Sequence, residues 1–273
     1  MSTSNGSVKG LLHEGDLVSP GYEVLAHLSR GRALDVYDAW SLERDCRCVA
    51  KVVRPDRREP RVRRRLTREG ELLLKLAHPH IVRAYELRRR PRTALILETL
   101  GGETVEHMIE SSSHRLATLD VAHLGVHLCS AIGYLHQHGF LHLDLKPSNV
   151  IVQSGQARVI DLSLARKPGR VPRGMGTPPY LPPEQARGGR ATAASDVWGI
   201  GATLYEAATG ARPFPDARHR SYPQLERRAP SVAESRRAPA RFTAVLDACI
   251  SSEPSDRPSV AELADELDTV IGD

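Results

Sequence analysis

The spacing of apolar and polar positions changes period several times along the chain. Residues 22–28 read Tyr-Glu-Val-Leu-Ala-His-Leu and begin an alternating strand. Residues 48–53 form a second strand, Cys-Val-Ala-Lys-Val-Val, with Lys51 inside it. The period then becomes helical over residues 60–76, where Val62, Leu66, Leu73 and Leu76 share one stripe. Glu69 falls on the same stripe. A carboxylate on an inward face needs a partner, and Lys51 is the obvious one. Gly70 interrupts this helix at a cost of roughly 1 kcal/mol against alanine, for a reason the sequence does not supply. Residues 80–87 and 93–98 are two further predicted strands, turned by Arg88-Arg89-Arg90-Pro91.

Beyond residue 100 the pattern is mainly helical. Thr118 can cap a helix with Asp120 in its first turn. Its apolar stripe is Val121, Leu124, Leu128, Ile132 and Leu135, and Gly139 ends it. His136 and His138 read as favourable charges at the helix C-terminus rather than as metal ligands. Near the end of the chain Ser259-x-x-Glu262 is a capping box, followed by Val260, Leu263, Leu267 and Val270 on a helical stripe. Residues 1–20 are polar and aperiodic and are expected to be a flexible tail, leaving 21–273 as the folded domain.

Composition narrows the class. The chain has 273 residues, 40% of them hydrophobic, enough for one large domain or two lobes. No apolar run is long enough to span a bilayer and the start carries no secretory signature, so a cytoplasmic protein is expected. The four cysteines are scattered, and Cys46-x-Cys48 is too tight and too isolated for a zinc site. The net charge is +5, and the cations are mostly arginine. Arg61, Arg63, Arg64, Arg65 and Arg68, after Arg54, Arg57 and Arg58, make the outer face of the 60–76 helix very basic. A solvated face is the simpler reading; an acidic protein partner is the sharper one, with nucleic acid less favoured.

The chemistry concentrates in residues 140–161. Two short apolar runs, 150–152 and 158–160, flank Ser154-Gly155 and read as a hairpin. A hairpin returns the chain on itself, which brings Asn149 and Asp161 close together. An amide oxygen and a carboxylate facing one space suit Mg²⁺. Asp144 and Lys146 stand beside them as a base and a cation.

This stretch, His142-Leu143-Asp144-Leu145-Lys146-Pro147-Ser148-Asn149 followed by Asp161-Leu162-Ser163, resembles the catalytic loop and metal-binding segment of eukaryotic-type serine/threonine protein kinases. The resemblance runs from about residue 22 to 271. Gly176-Thr177-Pro178-Pro179-Tyr180-Leu181-Pro182-Pro183-Glu184 resembles the family's G-T-x-x-Y-x-A-P-E segment, and its P-P-E-Q form looks like bacterial members. The resemblance implies an α+β, two-lobed protein kinase fold. A small antiparallel sheet with one helix would fill residues 21–100, and a helical lobe would follow from 101. ATP and Mg²⁺ would lie in the cleft. Asp144 would accept the substrate hydroxyl proton, Lys146 would steady the γ-phosphate, and Asn149 and Asp161 would hold the metal. Lys51, paired with Glu69, would contact the α- and β-phosphates. Gly31 would approach the phosphates. Glu98 and Leu100 would offer backbone groups to adenine with Leu97 behind it, and Leu28, Val36, Ala50 and Ile151 would wall the base. Gly101-Gly102 would give the hinge its freedom. Thr177 would bond near Asp144 and Lys146, Asp196 would anchor the catalytic-loop backbone at the start of a buried helix closed by Gly210, and Arg257 would pair with Glu184.

The departures are local. In the glycine-rich loop, Ser29 and Leu34 stand at two of the three glycine places, and Asp35 adds a negative charge near the expected phosphates. Leu143 replaces the family's arginine, Leu162-Ser163 replaces Phe-Gly, and Pro182 replaces alanine. That arginine would receive an activation-loop phosphate, yet residues 164–176 contain no serine, threonine or tyrosine. A kinase that needs no loop phosphorylation is therefore expected. The alternative is a pseudokinase, a nucleotide-binding or scaffold module with a degenerate glycine-rich loop. The presence of Lys51, Glu69, Asp144, Lys146, Asn149 and Asp161 argues for the enzyme.

Overall fold

The computed structural model describes residues 10–57, 59–111 and 115–272. Residues 1–9 of the expected tail, and Arg58, lie outside them. The chain forms two compact units: residues up to Ala77 together with Val82–Leu100, and His78–Ile81 together with Gly101 onward.

The first unit is a six-stranded antiparallel sheet with one helix. Its strands are β1 (Leu17–Ser19), β2 (Tyr22–Arg30), β3 (Leu34–Ser41), β4 (Cys46–Val53), β5 (Ala84–Arg88) and β6 (Ala94–Glu98), in the order β1-β2-β3-β4-β6-β5. Alternation sends Tyr22, Val24, Tyr37, Ala39, Cys48, Ala50, Val52, Ala94 and Ile96 to one buried cluster. Each larger side chain there contributes roughly 1.5–3 kcal/mol of burial. Leu17–Ser19, which the polar pattern assigns to the tail, is an edge strand with Val18 fully buried in that cluster. The helix α1 (Pro60–Leu73) starts at a proline, the favoured first residue, and stops three residues before Leu76. Leu66 and Leu73 are buried from it. Gly70 is explained by contact: a Cβ there would meet Leu87 Cδ1 at 2.9 Å and Leu95 Cδ1 at 3.1 Å. The helix crosses the sheet too closely for a side chain at that position. Residues 80–83, expected in a strand, precede β5, and Ile81 makes only an isolated bridge to Val159.

The second unit is mainly helical. It contains β7 (Glu103–Thr104), α2 (Val105–Ser111), α3 (Thr118–Gln137), the hairpin β8 (Val150–Gln153) and β9 (Gln156–Val159), β10 (Gly169–Arg170), α4 (Pro183–Arg187), β11 (Arg190–Ala191), α5 (Ala193–Thr209), α6 (Val232–Ser235), α7 (Ala240–Cys249) and α8 (Val260–Gly272). The α5 helix is buried continuously from Ser195 to Ala208, and Gly210 closes it in the left-handed region. Thr118 does not cap α3. The cap position is Ala117, and the Thr118 hydroxyl accepts from Arg236 Nη2 at 2.8 Å. Arg236 also donates to the Leu116 and Ala208 carbonyls, each at 3.0 Å. The predicted capping box at Ser259 and Glu262 forms at the start of α8. No described helix is long and apolar enough to cross a membrane.

Candidate active site

In the first unit, β4 and β3 pair with Lys51 opposite Val36, which puts both side chains on one face of the sheet. Lys51 Nζ donates to Glu69 Oε1 at 2.7 Å, and Glu69 is only 2% exposed. The glutamate on the apolar stripe thus meets the lysine inside the strand. Leu97 lies opposite Val49 on that same face. Ala50 does not belong with them. It points to the other face, into the cluster with Tyr37 and Val52, and Val49 is the residue beside Lys51. Leu28 is 55% exposed.

Asp35 is also on the face away from Lys51, opposite Val52. Its buried carboxylate is 3.3 Å from Arg30 Nε and 3.6 Å from His27 Nε2. The negative charge expected near phosphates is therefore neutralised on the far side of the sheet. Gly31 closes the β2–β3 turn by donating to the Leu34 carbonyl at 2.8 Å, and its own carbonyl accepts from Arg54 Nη1 at 2.8 Å. Glu98 donates its backbone N–H to Arg83 O, and its carboxylate accepts from Arg83 N at 2.8 Å. Leu100, half-buried, ends the unit.

In the second unit, the catalytic-loop candidates form one hydrogen-bonded set. The Thr177 hydroxyl donates to Asp144 Oδ1 at 2.8 Å and accepts from Lys146 Nζ at 2.9 Å. Lys146 Nζ is 3.9 Å from Asp144 Oδ2. Asn149 Nδ2 donates to the Asp144 carbonyl at 2.9 Å, which fixes the amide and leaves the acceptor role to its oxygen. Ile160 N donates to Asn149 O at 3.0 Å, so the hairpin delivers Asp161 beside Asn149. Asp161 Oδ1 accepts from Ser163 N at 2.7 Å, and Leu162 is buried in the phenylalanine's place. Ile151 is half-buried on β8, opposite Thr104. One carboxylate and one amide oxygen fit Mg²⁺, which takes its remaining ligands from phosphate and water.

The loop is pinned from below. The buried Asp196 carboxylate accepts from the backbone N–H of His142 and of Leu143, both at 2.8 Å, and from His136 Nε2 at 2.8 Å. His136, expected only as a charge at a helix end, is thus part of the anchor. Arg257 donates to both oxygens of Glu184, at 2.8 and 3.0 Å. Burial pushes the Glu206 carboxyl upward, and the Tyr180 hydroxyl donates to it at 2.5 Å.

Two functional features escape the sequence pattern. Gln185 Nε2 donates to Leu143 O at 3.1 Å and to Met175 O at 2.8 Å, tying α4 to both the catalytic loop and the segment after it. Its place within P-P-E-Q was the only signal. Leu143, at φ 66°, is buried with Leu141, Val171 and Ala191. Of the Gly101-Gly102 pair, Gly102 is required by close approach, because a Cβ there would sit 1.9 Å from Val152 O, whereas one on Gly101 would meet only Gln153 Nε2 at 3.5 Å. The arginines of the outer α1 face, Arg61, Arg63, Arg64, Arg65 and Arg68, are exposed.

Residues 22–267 match the protein kinase domain family. The serine/threonine-protein kinase PkaA of Streptomyces coelicolor is 34% identical over 221 residues, covering 76% of this chain and 39% of that protein. The serine/threonine-protein kinase PknB of Mycolicibacterium smegmatis is 32% identical over 211 residues, covering 72% and 34%. The DNA damage-responsive serine/threonine-protein kinase RqkA of Deinococcus radiodurans is 33% identical over 217 residues, covering 74% and 32%. The chain spans about a third to two fifths of the length of these curated relatives.

Proposed function

The chain belongs to the protein kinase domain family, of the bacterial serine/threonine type, and on that premise we propose that it transfers the γ-phosphoryl group of ATP to serine or threonine side chains of proteins. The observation that carries this reading is the Asp144–Thr177–Lys146 set, with Asn149 tied to the Asp144 backbone. Phosphoryl transfer asks the protein for position and charge neutralisation more than for covalent chemistry. Thr177 orients Asp144 through Oδ1, so Oδ2 is the oxygen that takes the substrate hydroxyl proton. Lys146, held by the same hydroxyl, meets the negative charge of the transferred group. Lys51, fixed by Glu69, contacts the α- and β-phosphates. Asn149 and Asp161 would hold Mg²⁺, which would supply positive charge to the phosphates of the nucleotide. Within the first unit, Leu97, Val36 and Leu28 would offer the adenine an apolar surface, with Val49 rather than Ala50 beside Lys51 on that face.

The test uses purified protein, labelled ATP, Mg²⁺ and a mixed serine/threonine peptide library. Label is expected on serine or threonine. Asp144→Asn is expected to lower the transfer rate by about 10²–10⁴-fold while nucleotide affinity and melting temperature stay close to the parent values. Equal labelling by the parent and the variant would exclude Asp144 as the base. Nucleotide binding without any labelling would leave a binding module instead of an enzyme.

A further inference from the structure

Residues 164–190 follow the metal-binding segment and run past the Thr177 that holds Asp144. They contain six cations, Arg166, Lys167, Arg170, Arg173, Arg187 and Arg190, and a single carboxylate, Glu184. That carboxylate is turned inward, where it accepts from Arg257 and from Ser195 Oγ at 2.8 Å. It neutralises none of the six. Lys167, Arg170, Arg173, Arg187 and Arg190 are all exposed, and none of these five forms an ion pair among the described residues.

The placement of two of them is imposed. β10 and β11 pair antiparallel with Arg170 directly opposite Arg190. Like charges facing across a ladder are unfavourable. The register is held against that repulsion by the apolar cluster in which Val171 and Ala191 are buried with Leu141 and Leu143, and by Val171 N donating to Gly189 O at 3.0 Å. Arg173 stands just before Gly174, whose N–H donates to Gln185 O at 2.9 Å, and just before Met175, which Gln185 ties to the catalytic loop. Apart from Glu184, which Arg257 and Ser195 engage, residues 164–190 carry no acid.

Leu143, the neighbour of Asp144, is buried with Val171 and Ala191, which puts Arg170 and Arg190 near the place where a peptide would present its hydroxyl to Asp144. We propose, resting on the kinase reading above, that the preferred substrates carry anionic side chains beside the phosphoacceptor. Those anions are held by Arg170 and Arg190 together, with Arg173, Arg187 and Lys167 around them. The source of the charge is either Asp/Glu or a residue already phosphorylated, and both present the oxygens that a guanidinium pair receives.

The experiment compares otherwise identical serine peptides with neutral, basic, Asp/Glu and phosphoserine flanks, by binding (fluorescence anisotropy) and by kcat/KM. The anionic peptides are expected to exceed the neutral one by about tenfold or more at low ionic strength, with the advantage shrinking as salt rises. A phosphoserine arm well above the Asp/Glu arm identifies a primed substrate; equal arms identify an acidic one. The double variant Arg170→Gln, Arg190→Gln is expected to lose most of the anionic-to-neutral ratio, and Arg237→Glu, on an exposed site elsewhere, is expected to keep it. Should the double variant not fold, the peptide series on the native protein decides alone. Equal binding of neutral and anionic peptides, a preference for basic ones, or a ratio intact in the folded double variant would each overturn the proposal. Absence of labelling on every peptide would count against the transferase, while anisotropy would still decide the surface.

Discussion

Gly102 stands where a methyl group has no room, 1.9 Å from Val152 O and 2.6 Å from Val152 C. The obstacle is backbone in the β7–β8 ladder, which cannot swing aside as a side chain can. Gly102→Ala is therefore expected to cost about 3 kcal/mol in urea unfolding, at the upper end of overpacking penalties. An unchanged midpoint would show that the strand end is looser than this packing requires. Gly70 is a milder case of the same kind, since the neighbours are leucine methyls that can shift by a few tenths of an ångström. Neither glycine was legible in the sequence, because the atoms that demand them come from residues 17 to 51 positions away. The Lys51–Glu69 pair was legible, because a carboxylate on an apolar stripe announces its need for a partner. Ala50 shows the opposite hazard. Side chains alternate strictly along a strand, so an assignment one residue out moves a side chain to the wrong face. Asp35 fell to the same parity, and its distance from Lys51's face follows from the register alone.

At the scale of the element, residues 164–176 raise the question of what orders a segment with nothing to phosphorylate. The sequence showed the missing receptor at Leu143 but not its replacement. That replacement is apolar: Leu141 and Leu143 of the catalytic loop are buried with Val171 and Ala191, and Met175 packs beside them. The backbone adds reciprocal bonds between Leu141 and Arg166, at 2.7 and 3.0 Å, and the two Gln185 bonds. A contact of this kind is permanent, whereas a phosphate clamp can be added and removed. Phosphatase-treated protein is therefore expected to label substrate linearly from the first minutes, and a lag that shortens on preincubation with ATP would contradict this. Leu143→Ala is expected to cost about 2–5 kcal/mol of stability. It is also expected to lower kcat more than nucleotide affinity, because Lys51 and its partner Glu69 belong to the other unit. A variant that loses stability with kcat intact would separate the plug from the ordering of the segment.

At the scale of the whole molecule, the chain does not divide at one point. The four residues His78–Ile81 precede β5 of the first unit yet belong to the second. A contiguous boundary near residue 100, the natural reading of a sequence, misses them because only rings and backbone contacts reveal the membership. His80 stacks on His127 at 4.2 Å, and His78 stacks on Tyr134 at 4.8 Å. Ala157 is held at both ends by this group: its carbonyl accepts from His80 Nδ1 at 2.8 Å, and its N–H donates to His127 Nδ1 at 3.5 Å. Nδ1 of His127 must stay unprotonated to accept, so its proton sits on Nε2. Burial, with His80 and then His123 as further causes, lowers the His127 pKa from 6.5 to about 4. Burial, and then His80, also lowers that of His78. The sign follows directly. Between pH 6.5 and about 4 the unfolded chain takes a proton on His127 that the folded chain refuses. The stabilisation is complete above the unfolded value and is lost progressively as pH falls toward the folded one. Melting temperature is therefore expected to drop from pH 7 to pH 4.5, and His127→Gln, which can still offer an acceptor, is expected to flatten part of that drop. A parallel pH profile in the variant would place the acid sensitivity elsewhere. A variant that flattens the profile but melts lower at pH 7 would separate the ring stack, lost with the imidazole, from its titration.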